Sequence, residues 1–470
     1  MRRYILILLC VALSVIQMTA VTQQEARAYI TNKQYPQAVH AYRTLMQKST
    51  FAKNADCNKF FGQALCMTGA YEESIPYLEF GAKNNKIGAW WYLGISRQHL
   101  YDFEGAIEAM EKYRSHMSKG SVWLPRIDSI VAECQIGLKG VSHVQDVVII
   151  DSIIVAKEAF FGHYKLGSES GRILDAKACG EMFANLANGE ETTMFENQAS
   201  DYRLLASKTE EGYRLYESHL FAGEWAEPQV IASIDMGTSQ ICYPFLRSDS
   251  ETLFFACDST PGYGQMDIYK THYSTENESY YKPERMPMPF NSPYNDYMMA
   301  IDETHQVGWW ATDRNTAEGM VCIYLFQVED SPTYLEGRNP ERAQVSSIAA
   351  TWRNPNGYEA LLEEIAEAPQ FVVEVEEIRI PIDDRTVYTS VDQFRNPKAR
   401  EAYDMSLHVE SELLTVQGDL DSMRQEYHTA NQKRREDLKK VILTMEKKEQ
   451  QLSDQLNAVR KKYRNLELQK

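Results

Sequence analysis

The pattern of apolar and polar positions changes twice along the chain. Between 22 and 139 apolar positions recur three and four residues apart, the spacing of a helix with one buried face. Tyr35, Ala38, Tyr42 and Leu45 form one set, Tyr71, Ser74, Leu78 and Gly81 a second, and Phe103, Ala106, Met110 and Tyr113 a third. Their leading aromatics lie 36 and then 32 residues apart. A period near 34 predicts stacked helical hairpins. Phe61-Gly62 and Leu93-Gly94, with Trp90 ahead of the second, fall where the partner helices are due. A helix over Leu124–Leu138 should cap the stack, because a terminal repeat must cover an apolar face.

After Gly140 the period shortens to that of strands. Val147-Val148-Ile149-Ile150 and Ile153-Ile154-Val155 are β-branched runs. Signals weaken from 160 to 200, with a short helix expected from an Asp175 N-cap to Ala187. A strand pair then recurs: Leu204–Ser207 with Leu215-Tyr216, Leu253–Cys257 with Asp267–Tyr269, and Trp309–Asp313 with Ile323-Tyr324. Its alanines stand at 206, 256 and 311, spaced by 50 and 55 residues. Pro261-Gly262 and Gly264 supply the turn of the middle pair. Repeated strand pairs at this period predict propeller blades over 140–345, although three blades do not close a ring. Either degenerate strands at 140–195 and 371–390 complete it, or the sheet stays open. Residues 346–400 read as a mixed connector, with strands expected at Phe371–Val375 and Ile378–Ile380.

The second change comes near 401. Val409, Leu413, Val416, Leu420, Met423, Tyr427 and Ala430 follow 4-3 steps, and the pattern resumes through Leu438–Met445 and Leu452–Leu466. This is a heptad seam with interruptions near Arg434 and Lys448, so 401–470 is expected to be a coiled coil. A helix of about 100 Å, at roughly 1.5 Å per residue, would need a second helix to cover so narrow a stripe. A homo-oligomer or a partner's helix is therefore expected there. The fold class is multidomain α plus β: helical repeats, a β-propeller, then a coiled coil.

Two stretches carry a family resemblance. The three helical sets, with small residues at the Ala and Gly positions, resemble tetratricopeptide repeats, which implies a concave surface that binds a peptide or protein. Tyr243-Pro244-Phe245-Leu246-Arg247-Ser248-Asp249, Leu253-Phe254-Phe255-Ala256, Gly262-Tyr263-Gly264 and Asp267-Ile268-Tyr269 resemble the WD40-like (PD40) repeat of TolB type. The chain departs from that repeat at Ser250, usually Gly, and at Cys257, usually Ser. The order of the two is similar to envelope proteins of Bacteroidota, among them the component linking type IX secretion to peptidoglycan. That component continues with an OmpA-like domain, where this chain has a heptad seam.

Composition narrows the function. Of the 470 residues 44% are hydrophobic and the net charge is −17, which argues against a nucleic-acid binder. Arg2-Arg3, the apolar run Tyr4–Ile16 and Ala20 read as a signal peptide over 1–20, implying export to the periplasm, free or in association with the outer membrane. Cys10 sits mid-run behind Leu8-Leu9, which does not fit lipidation. The other cysteines, 57, 66, 134, 179, 242, 257 and 322, show no ligand or disulfide spacing and read as small hydrophobes.

Gly262–Asp267 approaches a dinucleotide fingerprint but leads into a strand, and Gly167–Gly171 has Glu169 where a nucleophile elbow needs Ser. Asp249, Asp258, Asp267, Asp296, Asp302 and Asp313 cluster at turns. They could bind calcium, but Asp capping of turns is the preferred reading. Trp309-Trp310 and Tyr280-Tyr281 could stack on sugars, but core packing is preferred. No catalytic, cofactor-binding or metal-binding residue is assigned. The expectation is a non-enzymatic envelope scaffold binding proteins, with a carbohydrate-binding or processing module as the alternative. No nucleic acid or small-molecule substrate is expected.

Overall fold

The computed structural model describes residues 21–187, 193–210, 212–329, 331–345, 355–367, 380–382, 386–388, 391–429 and 432–468. The expected signal peptide (1–20) and the expected strand Phe371–Val375 lie outside them. The chain divides after Val373 into two units, each with its own core.

The first unit begins with α1 (Gln23–Thr31), α2 (Tyr35–Met46), the single turn α3 (Ser49–Ala52), α4 (Ala55–Met67), α5 (Tyr71–Lys83), α6 (Gly88–His99), α7 (Phe103–Arg114) and α8 (Leu124–Gly140). Side chains start them: Thr22 and Glu25 form a capping box, and Asn54 and Asp102 accept from backbone N–H groups in the first turns of α4 and α7. The three predicted aromatic sets open α2, α5 and α7 at their first residues. Close approach of paired helices explains the glycines. A Cβ on Gly62 would stand 2.6 Å from Leu78 Cγ, and one on Gly94 2.6 Å from Met110 Cε. Gly62→Ala should therefore cost about 1–3 kcal/mol from overpacking, read as a lowered urea midpoint with unchanged slope.

The β-rich part follows. Its strands are β1 (Ile149–Ala156), β2 (Arg172–Asp175), β3 (Thr193–Glu196), β4 (Tyr202–Thr209), β5 (Gly212–Phe221), β6 (Glu224–Trp225) and β7 (Gln229–Val230). Next come β8 (Ile241–Leu246), β9 (Thr252–Cys257), β10 (Asp267–Ser274), β11 (Ser279–Tyr280) and β12 (Glu284–Arg285). The last three are β13 (Asp296–Asp302), β14 (Val307–Thr312) and β15 (Met320–Gln327). The helix expected over 175–187 is shorter: Asp175 caps a 3-10 turn, and α9 spans Glu181–Leu186.

Three antiparallel sheets result. Sheet I runs β2-β3-β4-β5-β6 with β7 on β5, and sheet II runs β11-β10-β9-β8 with β12 on β10. Sheet III runs β1-β15-β14-β13, so its outer strand comes from far earlier in the chain. The repeat legible in the sequence is a repeat of register. Ala206 pairs with Leu215, Ala256 with Ile268, and Ala311 with Ile323. Next to each, Tyr216, Tyr269 and Tyr324 lie across from Leu205, Phe255 and Trp310. Strands at 140–195 thus complete sheets I and III. Of the strands expected at 371–390, the described residues hold β16 (Ile380–Pro381) and β17 (Val387–Tyr388), which pair with each other inside the second unit.

Strand β8 packs against β3 and β4 on one side and β13 on the other. Sheet III meets the lead-in to sheet I through Asp302, which accepts from Gly167 N–H (3.0 Å) and Ser170 Oγ (3.2 Å). The space between the sheets holds one large apolar core, joined by Ile365 of α11 (Pro355–Glu367). The helical stack seats on the same unit through a second core, in which Met288 and Ala343 of α10 (Pro340–Gln344) pack with Tyr101, Phe103 and Ile127.

The second unit differs from the expected continuous rod. Helices α12 (Pro397–Thr429) and α13 (Gln432–Leu468) lie side by side, with 430 and 431 outside the described residues. They run antiparallel, because Glu410 pairs with Arg460 and Arg424 with Glu446. The two halves of the seam therefore cover each other: Val409, Val416 and Leu420 pack with Leu452 and Leu456. The interruption near Arg434 belongs to the reversal of the chain, not to a stutter in one helix.

Candidate functional site

The middle of the three sheets is filled. Segment 157–163 packs against β1 and β15, and Phe160, fully buried, sets its ring 5.2 Å from that of Tyr243 and 5.9 Å from that of Tyr297. Tyr164 follows and donates to Met298 O at 2.7 Å.

The turn aspartates are engaged in the structure. Asp249 accepts from the N–H groups of Glu251 and Thr252, and Asp258 from that of Gln240 at 2.6 Å. Asp313 repeats the Asp258 device one sheet later, accepting from Asn295 N–H at 2.8 Å. Asp296, wholly buried, meets Arg314 at 2.6 Å and accepts from Ser292 Oγ at 2.7 Å. Asp302 also accepts from Thr304 N–H and lies 2.6 Å from His305 Nδ1. Among the described residues no group of three or more His, Cys, Asp or Glu is placed to hold a metal ion.

Asp267 shows why the glycine loop at 261–264 is there. Its carboxylate accepts from Tyr263 N–H at 2.9 Å and more weakly from Gly264 N–H at 3.4 Å. Arg285 Nε lies 3.0 Å away, off the axis of a hydrogen bond. Gly264 passes against the backbone of Tyr294, and the Tyr263 ring covers Gly140 at the end of α8. The dinucleotide-like glycines are thus spacing for a seam between helices and sheets. Burial outweighs these partners and pushes the Asp267 carboxyl up to about 7. A carboxyl raised above its unfolded value is more protonated in the folded state, so stability rises as pH falls through 7 toward 4. Between pH 7.5 and 5.5 the gain should be roughly 1–2 kcal/mol, and Asp267→Asn should remove it. Urea midpoints at the two pH values, compared between the two chains, give the answer.

The remaining candidates behave as core. Gly167–Gly171 holds the 3-10 turn Ser168–Ser170, whose Ser170 is taken by Asp302. Trp309, Trp310 and Tyr280 are buried, and only Tyr281 of that group is exposed. The seven cysteines outside the first twenty residues are free thiols, six of them buried.

Two surface features were not singled out by the sequence. One is a cleft of about 340 Å³ between sheets II and III. Its floor is apolar, with Phe254, Met286, Phe290, Ile301 and Phe326 among its residues, and Lys270, His272, Arg247 and Arg285 also line it. Alternation along β10 brings Lys270 and His272 to one side of the sheet, opposite Phe254 and Thr252 of β9. His272 Nδ1 is 3.1 Å from Thr252 Oγ1, and Arg247 Nε donates to Glu303 at 2.7 Å. His143, on the link from the helices, stacks on Tyr334 at 4.1 Å. The early trace of the cleft is the Lys270-x-His272 step on β10.

The other feature is a cationic and aromatic patch on the helical stack. Lys59 Nζ lies 3.9 Å from the Phe60 ring centroid and 6.0 Å from that of Tyr92, and donates to Gln63 Oε1 at 3.0 Å. Arg27 of α1 reaches the Phe60 ring at 5.2 Å. Burial lowers the Lys59 ammonium to about 8.

These parts define a mixed class: a helical-hairpin region, a β-rich region whose strands curl around a common core, and a C-terminal helical unit. No family model matches the chain, and no curated protein or solved structure matches it. No described helix is long and apolar enough to cross a membrane.

Proposed function

We propose that this chain is a non-enzymatic scaffold of a bacterial envelope, acting in the periplasm or at the outer membrane by binding proteins. In this reading the helical stack is a tetratricopeptide-type array, and the three sheets form a small propeller of the WD40-like (PD40) kind. The observation that supports it is the stacking of successive hairpins at glycine contacts, with the Lys59, Phe60 and Arg27 patch on its surface. Trp, Tyr, Phe and Arg clusters are the usual anchors of protein interfaces. Charge agrees: residues 22–139 hold 14 Lys and Arg against 11 Asp and Glu, whereas 140–400 hold 20 against 42. An acidic segment of a partner suits the stack and is repelled by the sheets.

Crosslinking in cells with a tag after Lys470, for the parent chain and for Lys59→Gln, tests it. Envelope proteins should be recovered with the first and reduced several-fold with the second. Equal recovery from both, or glycan in place of protein, would overturn the reading. The helical hairpin supplies a second contact, with another copy or a partner's helix, through its exposed Leu407, Val441 and Leu443. Sedimentation of the full chain should show an oligomer that Leu443→Glu dissociates. A monomer in both removes the self-association.

A further inference from the structure

We infer that the cleft between sheets II and III is a binding site for a monocarboxylate on an apolar body, such as an aliphatic acid. The inference goes beyond the scaffold reading and does not depend on it.

The charge of the cleft is out of keeping with its surroundings. Residues 140–400 carry more than twice as many Asp and Glu as Lys and Arg, whereas the cleft is lined by three of each, Arg247, Lys270 and Arg285 with Asp146, Glu284 and Glu329, and Arg342 holds Asp146. Two of the three cations are engaged, Arg247 by Glu303 and Arg285 by Asp267. Lys270 is the exception. Half-buried on the central strand of sheet II, its side chain makes no ion pair or hydrogen bond with a described residue. Its cross-strand neighbour Glu284 forms no ion pair with it. A half-desolvated ammonium beside Phe254 attracts an anion more strongly than one in open water, because the local dielectric is lower.

The floor specifies the rest of the ligand. Gly308 of β14 lets the Phe326 ring lie flat over it, since a Cβ there would fall inside the ring's van der Waals surface. That ring, with Phe254, Met286 and Ile301, forms the floor beneath the ammonium, each of these side chains at most 9% exposed. A space of about 340 Å³ is in the lower range for small-molecule pockets. Glu284 and Glu329 stand at the rim. They repel a second negative charge, so a carboxylate fits and a phosphate dianion does not.

Titration calorimetry of the full chain with sodium decanoate, kept below its micellar concentration, tests the site against decanol and decyl phosphate. Saturable binding of one decanoate per chain is expected, weaker for decyl phosphate and for decanol. Lys270→Met, which keeps the apolar stem, should weaken decanoate about tenfold, or about 1.4 kcal/mol. Glu284→Gln should tighten it several-fold. Far-UV circular dichroism establishes that both variants are folded. No saturable binding, affinity unchanged by Lys270→Met, no gain with Glu284→Gln, or tighter binding of decyl phosphate or decanol would each overturn the site.

Discussion

Replacing Arg314 by methionine is expected to destabilise the first unit by about 3–5 kcal/mol, the usual result of stripping one partner from a buried ion pair. Arg314 and Asp296 are both within 1% of complete burial. The guanidinium also donates to Ala343 O at 3.3 Å and to Phe290 O at 3.4 Å, tying β14 to the segments that meet the helices. Methionine fills much of the volume but leaves Asp296 with only the hydroxyls of Ser292 and Thr312 against its buried charge. Burial already pushes that carboxyl up to about 6, so it should take up a proton near neutral pH once the arginine is gone. Asp296→Leu combined with Arg314→Met should be markedly less damaging than Arg314→Met alone, because no charge is then left buried. Urea denaturation followed by tryptophan fluorescence would show this, since Trp310 belongs to the same core. A single variant within about 1 kcal/mol of the parent would mean that water reaches the pair.

Phe160→Ala should cost a similar amount, about 3–5 kcal/mol, from lost burial and the cavity left behind. Its ring is shared by Tyr243 of sheet II and Tyr297 of sheet III, with Tyr164 at 6.1 Å. Phe160→Leu, which retains part of the volume, should recover more than half of the loss. Thermal unfolding of the three chains in one buffer separates this from a local effect. If Phe160→Ala melted with the parent, the segment 157–163 would be an ornament and not the hub.

Local patterns are legible in the sequence. The helix starts at Tyr35, Tyr71 and Phe103 follow from spacing, and the alanines at 206, 256 and 311 mark equivalent register positions, because both signals lie within one hairpin. What failed to show was long-range. Nothing in Ile149–Ala156 says that its partner is Met320–Gln327. A heptad seam is equally satisfied by another chain or by its own second half, so a rod and a hairpin look alike in sequence. The cleft draws on separated segments, including His143, Arg247, Lys270, Glu284 and Phe326, each unremarkable alone. The turn aspartates were legible as caps, but Asp302 as a tie between sheets III and I was not.

The pairing of β1 with β15 has a consequence for biosynthesis. Ile149 lies against Phe326 and Ala156 against Met320, so a strand emerging early waits for one made more than 160 residues later. At ribosomal rates of about 5–20 residues per second, the wait is roughly 10–30 s. Throughout it, a β-branched strand including Ile153 and Ile154 has no partner, which is the condition under which nascent chains pair wrongly or aggregate. A holding chaperone, or an export route that keeps the chain unfolded until it is complete, would serve this topology. Ribosomes stalled before residue 320 should carry chains whose 149–156 segment is cut readily by protease, and those stalled well beyond 327 should not.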